Sequence, residues 1–333
     1  MPNNSKLKFS SQAVFLIFYI FSLTTPSEGV GVDEKLDVSP GPSLKLSAYS
    51  QVGYTRWEPD KKGFRISQAR VILKGDILKN IDYKLQIDAT QSPVLLDAKI
   101  GVNLSPYANL SFGQFKVPFS IENLISGSEL DTINRSNTVN KLCPARDIGT
   151  QGRDIGATIN GKYSILEYTL GVFNGSGKNK KDTNDQLDIA GRLALTPFRS
   201  LSIGLSHYDG RYNPDPGLLI EKNNRTGFDI IFLPGRFSLK GEYIVASYEQ
   251  VDRYGWYLQG GYYLIPKTLE AIVKHDYYDG DRAAPEDQIV VTTLGINYFF
   301  SRKTKIQVNY ERRRGGSLES VDDVILAQIQ AGF

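Results

Sequence analysis

Apolar and polar side chains alternate one by one through most of residues 43–333, and no stretch there carries a sustained 3.6-residue apolar repeat with helix caps. In "IDYKLQIDA" (81–89), Tyr83, Leu85, Ile87 and Ala89 share one face, with Lys84, Gln86 and Asp88 on the other. "KIQVNYE" (305–311) sets Ile306, Val308 and Tyr310 against Lys305, Gln307, Asn309 and Glu311. Period two marks a strand whose two faces meet different surroundings. Sixteen such windows can be drawn: 43–56, 63–76, 81–90, 94–104, 109–118, 153–160, 163–174, 185–197, 200–209, 224–234, 236–248, 252–264, 267–279, 287–300, 303–312 and 322–333. The last runs to the final residue, with Ile325, Ala327, Ile329, Ala331 and Phe333 alternating with Leu326, Gln328 and Gln330.

A soluble β-sandwich or propeller also alternates. Here the windows are long, and nearly every one pairs its apolar face with Lys, Asp, Glu or Gln. Aromatic residues gather near the window ends, among them Tyr163, Phe173, Tyr254, Trp256, Tyr277 and Phe300, as interfacial girdles require. In lipid an open sheet edge is forbidden, so such strands must close into a barrel. The connections agree. One set is short ("SPYA" 105–108, "PF" 197–198, "SRK" 301–303) and the other longer and more charged ("EPDKK" 58–62, 119–152, "SGKNKKDTND" 176–185), although the links near 90–93 and 249–251 are short members of the second set. Short periplasmic turns and long external loops are the outer-membrane pattern. The expected fold is therefore all-β: a transmembrane antiparallel barrel of about sixteen strands.

The rest bounds the function. Lys6 and Lys8 precede the apolar run 13–23, which is too short to span a bilayer, and Ser27 and Gly29 offer a cleavage site; residues 1–29 read as a signal peptide. A short lead-in (30–42) then precedes the barrel (43–333), too short for the plug of a 22-stranded transporter. The formal net charge of +3, with no basic block, argues against nucleic acid as a partner. Cys143 stands alone, so no intrachain disulfide is possible. His207 and His275 have no nucleophile placed beside them on one face, and "KKDTND" (180–185) and "DYYDGD" (276–281) lack the spacing of a calcium loop; no catalytic, cofactor or metal site is expected.

"GQFKVPFSIENL" (113–124), "LCPARDIGTQGRDIGATING" (142–161) and "YTLGVFNGSG" (168–177), with "ISQARVILKGDI" (66–77) and "YKLQIDA" (83–89) before them, resemble the phosphate-selective porin O and P family. The likeness runs in order over about 43–180 and continues afterwards mainly as strand rhythm. It implies a sixteen-stranded outer-membrane barrel, a homotrimer in outer-membrane lipid, and basic residues lining a pore for small anionic or hydrophilic solutes such as phosphate. It also implies that the third external connection, 119–152, folds inward as a constriction loop. Length alone shows only that this segment is functional or disordered, and the alternative is a loop folded outward over the rim.

Alternation puts bases (Lys84, Lys99, Arg192, Lys240, Lys274, Lys305) and at least as many acids (among them Asp88, Asp97, Asp229, Glu242, Glu270, Asp276) on the water-filled face. A wall of mixed sign does not by itself select anions. A local site remains possible where several bases converge: Arg135, Lys141, Arg146 and Arg153 meeting Arg65, Arg70, Lys99 or Lys116. The windows 63–76 and 109–118 alternate poorly, so Arg65, Arg70 and Lys116 cannot be oriented by pattern. Strict alternation puts Lys116 with Phe112, and a bulge at Gly113–Gln114 would turn it inward. The expected function is a weakly to moderately anion-preferring channel set by this loop. A general porin and a structural or adhesive barrel are the alternatives.

Overall fold

The computed structural model describes residues 42–57, 61–212, 221–248, 251–284, 286–315 and 321–333. The expected signal peptide lies outside the described residues, as does nearly all of the lead-in. Sixteen antiparallel strands form one closed barrel, each bonded to its chain neighbours and the last to the first. They are β1 Lys45–Trp57, β2 Lys61–Leu78, β3 Ile81–Asp88, β4 Leu95–Ser105, β5 Ala108–Lys116, β6 Arg153–Tyr163, β7 Leu166–Phe173 and β8 Asp188–Phe198. The second half comprises β9 Leu201–Tyr212, β10 Glu221–Phe232, β11 Phe237–Tyr248, β12 Val251–Ile265, β13 Leu269–Asp279, β14 Ile289–Phe299, β15 Lys305–Gly315 and β16 Val321–Gly332. All sixteen windows correspond to strands; β2 and β15 run a few residues longer than the pattern shows.

The pleat sorts the side chains. On β15, Ile306, Val308 and Tyr310 are exposed on the outer wall, while Lys305, Gln307, Asn309 and Glu311 are buried inside. On β16, Ile325 and Ile329 face out and Gln328 and Gln330 face in. The closing seam sets Tyr54 against Ala327 and Gly53 against Gln328. Phe333 continues it: its N–H donates to the Ala48 carbonyl (3.1 Å), and the Lys303 ammonium donates to the Phe333 carbonyl (2.9 Å).

Two strands that alternate poorly do so for visible reasons. On β2, Gln51 of β1 faces Gln68 and Val52 faces Ile66, so Ser67 is an extra residue. This bulge lets Arg65 and Arg70, of opposite parity, both point inward. On β5 there is no bulge to turn Lys116 inward: Gly113 and Gln114 stay in register with β4 and β6. Instead Gly113 takes φ +114°, and a Cβ there would lie 2.1 Å from the Ala98 carbonyl oxygen. Glycine alone tolerates that geometry. Beyond it Gln114 is buried and Lys116 reaches inward, although both share the parity of exposed Phe112.

Residues 117–152 fold into the lumen. Two short helices order this loop, α1 (Ile121–Leu124) and α2 (Asn137–Leu142), with Ser120 and Ser136 accepting the Asn123 and Val139 N–H groups as N-caps. Phe119, Val139, Leu142 and Cys143 pack with Phe173, Tyr208, Ile244 and Tyr257 of the wall in the main apolar core. Gly227 makes room, since a Cβ there would stand 3.2 Å from the Phe119 ring.

Candidate functional site

The loop is fastened across the lumen by wall residues from β10 round to β1. The Lys274 ammonium bonds Glu122 (2.5 Å), and both are buried. Glu122 also accepts from the Ser136 hydroxyl, and Glu242 accepts the Glu122 N–H. Asp276 receives the Asn137 and Thr138 N–H groups at the start of α2. Asp131 bonds Lys240 (2.5 Å), and Gln51 of β1 donates to the Gly127 carbonyl. Glu242 and Asp276, which alternation assigned to the lumen, are thus anchors of the loop. The acid Asp229 is bound to Arg192.

What remains open lies beside the loop, against β1–β6 and, at its outer end, against β13–β16 with β1 and β2. Three cavities adjoin there. The outermost, about 660 Å³, is lined by Arg65, Asn134, Arg135, Asn140 and Asp276 among others. It shares Asn134, Arg135 and Asn140 with a narrow cavity of about 190 Å³. That one shares Arg70, Lys116 and Arg153 with a third of about 500 Å³, which extends to Lys74, Lys84, Lys99 and Lys303 at the end of the barrel carrying Phe333. The narrow cavity is lined by Arg70, Lys116, Arg135, Arg146 and Arg153, and among the described residues no carboxylate lines it.

These cations are held from behind. Arg70 bonds Asp88 (2.8 Å) and the Gln151 side chain (3.0 Å). Asp97 accepts from Arg153 (2.6 Å) and from Lys84 (2.6 Å). Arg146 donates to the Asn123 and Asn140 side-chain oxygens (2.8 and 3.2 Å). Lys116 is spent on the Asn123, Leu124 and Ile125 carbonyls, and Arg135 on those of Glu122 and Ile125. Both therefore cap the end of α1, where carbonyls lack partners. Burial, and then the neighbouring Arg135 guanidinium, push Arg146 down to about 9. Burial likewise lowers Arg135, against the opposing pull of Glu122. No carboxylate faces these groups across the narrow cavity among the described residues, while Asp88 and Asp97 pair with Arg70 and Arg153 from behind.

Of the sequence candidates, Arg70, Lys116, Arg135, Arg146 and Arg153 come together. Arg65 lines the outermost cavity, and Lys84 and Lys99 line the third. Two do not join. Lys141 is exposed and lines none of the three cavities, because α2 buries Val139 and Leu142 against the wall and leaves it on the opposite side. Arg192 is buried behind the loop, bonded to Asp229 and Ser206. Lys74, Lys303, Asn140 and Gln151 also line these cavities, and only the order of the loop backbone places the two amides.

A sequence profile described as "Phosphate-selective porin O and P" matches residues 45–216 and 214–330. No protein of curated function matches the chain in sequence. Among solved structures, the anion-selective porin from Comamonas acidovorans superposes with TM-score 0.70 at 15% identity, over 88% of this chain and 100% of that one. The outer membrane channel DcaP of Acinetobacter baumannii gives TM-score 0.68 at 12% identity, over 88% and 98%. The trimer form of OmpT from Vibrio cholerae gives 0.60 at 10%, over 88% and 100%. At these identities the likeness is one of fold.

Proposed function

The chain belongs to the phosphate-selective porin O and P family, an outer-membrane channel, and on that premise we propose that it passes small inorganic anions, phosphate among them, selected at the Arg70–Arg153 constriction. The observation that carries this is the 190 Å³ cavity bordered by five cations and no carboxylate among the described residues. The mixed charge of the wall does not oppose it, because Glu242 and Asp276 hold the loop and Asp88, Asp97 and Asp229 pair with bases. The trimer form of OmpT supports a homotrimer here.

A second reading, a weakly selective general porin, has its own support. Lys116 and Arg135 are committed to loop carbonyls, and Arg70 and Arg153 each hold an aspartate. Planar-bilayer recording separates the two. A reversal potential on the anion side in a potassium chloride gradient, with chloride current blocked by low phosphate, supports phosphate selection. Anion preference without block leaves the general porin, and cation preference sinks both.

A further inference from the structure

Around the closing seam the inward face of three strands changes character along its length. On β16 the inward residues are Gln330 and Gln328 in the half nearer Phe333, then Leu326 and Val324. On β14, Asn297 and Thr293 give way to Val291 and Ile289. On β1, Gln51 gives way to Thr55 and Trp57. The interior of a membrane barrel that conducts is polar. A bare inorganic ion gains nothing from apolar rungs at the outer end.

Trp57, Ile289, Val291 and Leu326 all line the 660 Å³ outer cavity. Val291 and Leu326 are nearly covered, whereas Trp57 is 37% exposed and Ile289 is half-buried. Arg313, bonded to Glu311, lies 4.5 Å over the Trp57 ring and holds it as part of that wall. The loop adds Asn134, Arg135 and Asn140, the three residues that the outer cavity shares with the narrow one. The acids of the lining are committed. Glu311 accepts from Arg313 and the Asn134 amide, and Asp276 accepts from Asn137 and Thr138. A cavity of this volume, with apolar walls and a few placed polar groups, has the form of a small-molecule site. It is far larger than one phosphate ion needs.

We propose that the outer cavity binds ring-bearing phosphate monoesters. The phosphate group lies at the Arg135–Asn140 end, where the cavity meets the constriction, and the ring lies against Trp57, Ile289 and Val291. The inference rests on the constriction reading and extends it from the inorganic ion to a class of organic solute.

The test is block of chloride current in planar bilayers by phenyl phosphate and by methyl phosphate. The two monoesters carry the same anionic group, and only one carries a ring. Phenyl phosphate should reach half-block at about tenfold lower concentration, as expected for one ring packed on an aromatic and apolar wall. Trp57→Ala should reduce that preference to about twofold, and Trp57→Phe should retain most of it. If Trp57→Ala does not assemble, Ile289→Thr, which keeps the β-branch and shortens the apolar side chain, decides in its place. Equal block by the two monoesters in the wild type, or a phenyl preference that survives the deciding variant, would overturn the proposal; block by inorganic phosphate would then leave the constriction reading standing. If neither monoester nor inorganic phosphate blocks, the constriction reading falls and this one with it.

Discussion

Arg146→Glu is the sharpest test of the constriction. Arg146 lines the 190 Å³ cavity; for a small anion taken at a separation of about 6 Å and an effective dielectric constant of about 40, one unit charge contributes about 1.4 kcal/mol. The separation is shorter than the Debye length of about 10 Å at 0.1 M salt, so screening removes only part of this. Arg146→Gln should therefore lower anion occupancy about tenfold and Arg146→Glu about a hundredfold. The assay is the reversal potential in a planar bilayer under a potassium chloride gradient. It should move from the anion side toward zero with Gln and beyond zero with Glu. Arg146→Lys keeps the charge while weakening the bonds to Asn123 and Asn140, and so separates electrostatics from loop order. Lys141→Glu makes the same charge change outside the cavities and should shift little. An unchanged reversal potential in Arg146→Glu, or an equal shift in Lys141→Glu, would refute the arrangement.

Lys274→Met leaves Glu122 buried without its cation, which should cost about 3–5 kcal/mol, read as a lower melting temperature in detergent and noisier conductance as the loop loosens. Lys274→Met/Glu122→Gln should recover part of that loss. Acid should act on the same anchor. Burial raises the Glu122 carboxyl, but Lys274 and then Arg135 outweigh it, and the net shift is downward from 4.5. A depressed carboxylate stabilises the fold above its unfolded value and loses that contribution as pH falls through the folded one. Loop loosening should therefore begin only below about pH 4.5, and the conductance of Glu122→Gln should show less of this acid step. Cys143 is fully buried, and burial raises its thiol to about 12, so a maleimide should label it only after unfolding; rapid labelling of the folded channel would contradict the packed loop.

Alternation determined the barrel because each strand separates two solvents. A one-residue error would put Lys305 and Glu311 in lipid, and the penalty recurs on every strand. Sixteen strands, their faces and the seam at Phe333 therefore needed no tertiary information. The pattern failed where the backbone departs from a regular pleat: at the Ser67 bulge, which turns Arg65 and Arg70 the same way, and at Gly113, which frees Lys116 from the parity of Phe112; it also set Phe173 among the interfacial rings, although the loop buries that ring in the apolar core. Those departures carry three of the candidate site residues. Counting charges also left the sign of the pore undecided, since sequence gives each residue's face and not its partner. Only the tertiary structure decided that Glu122 meets Lys274, that Asp229 meets Arg192, and that Arg70 and Arg153, each paired with an aspartate, line one cavity with Arg146. Local spacing fixes which side of a strand a charge occupies. Whether that charge is neutralised depends on groups up to 152 residues away, brought together by closure of the sheet and insertion of the loop.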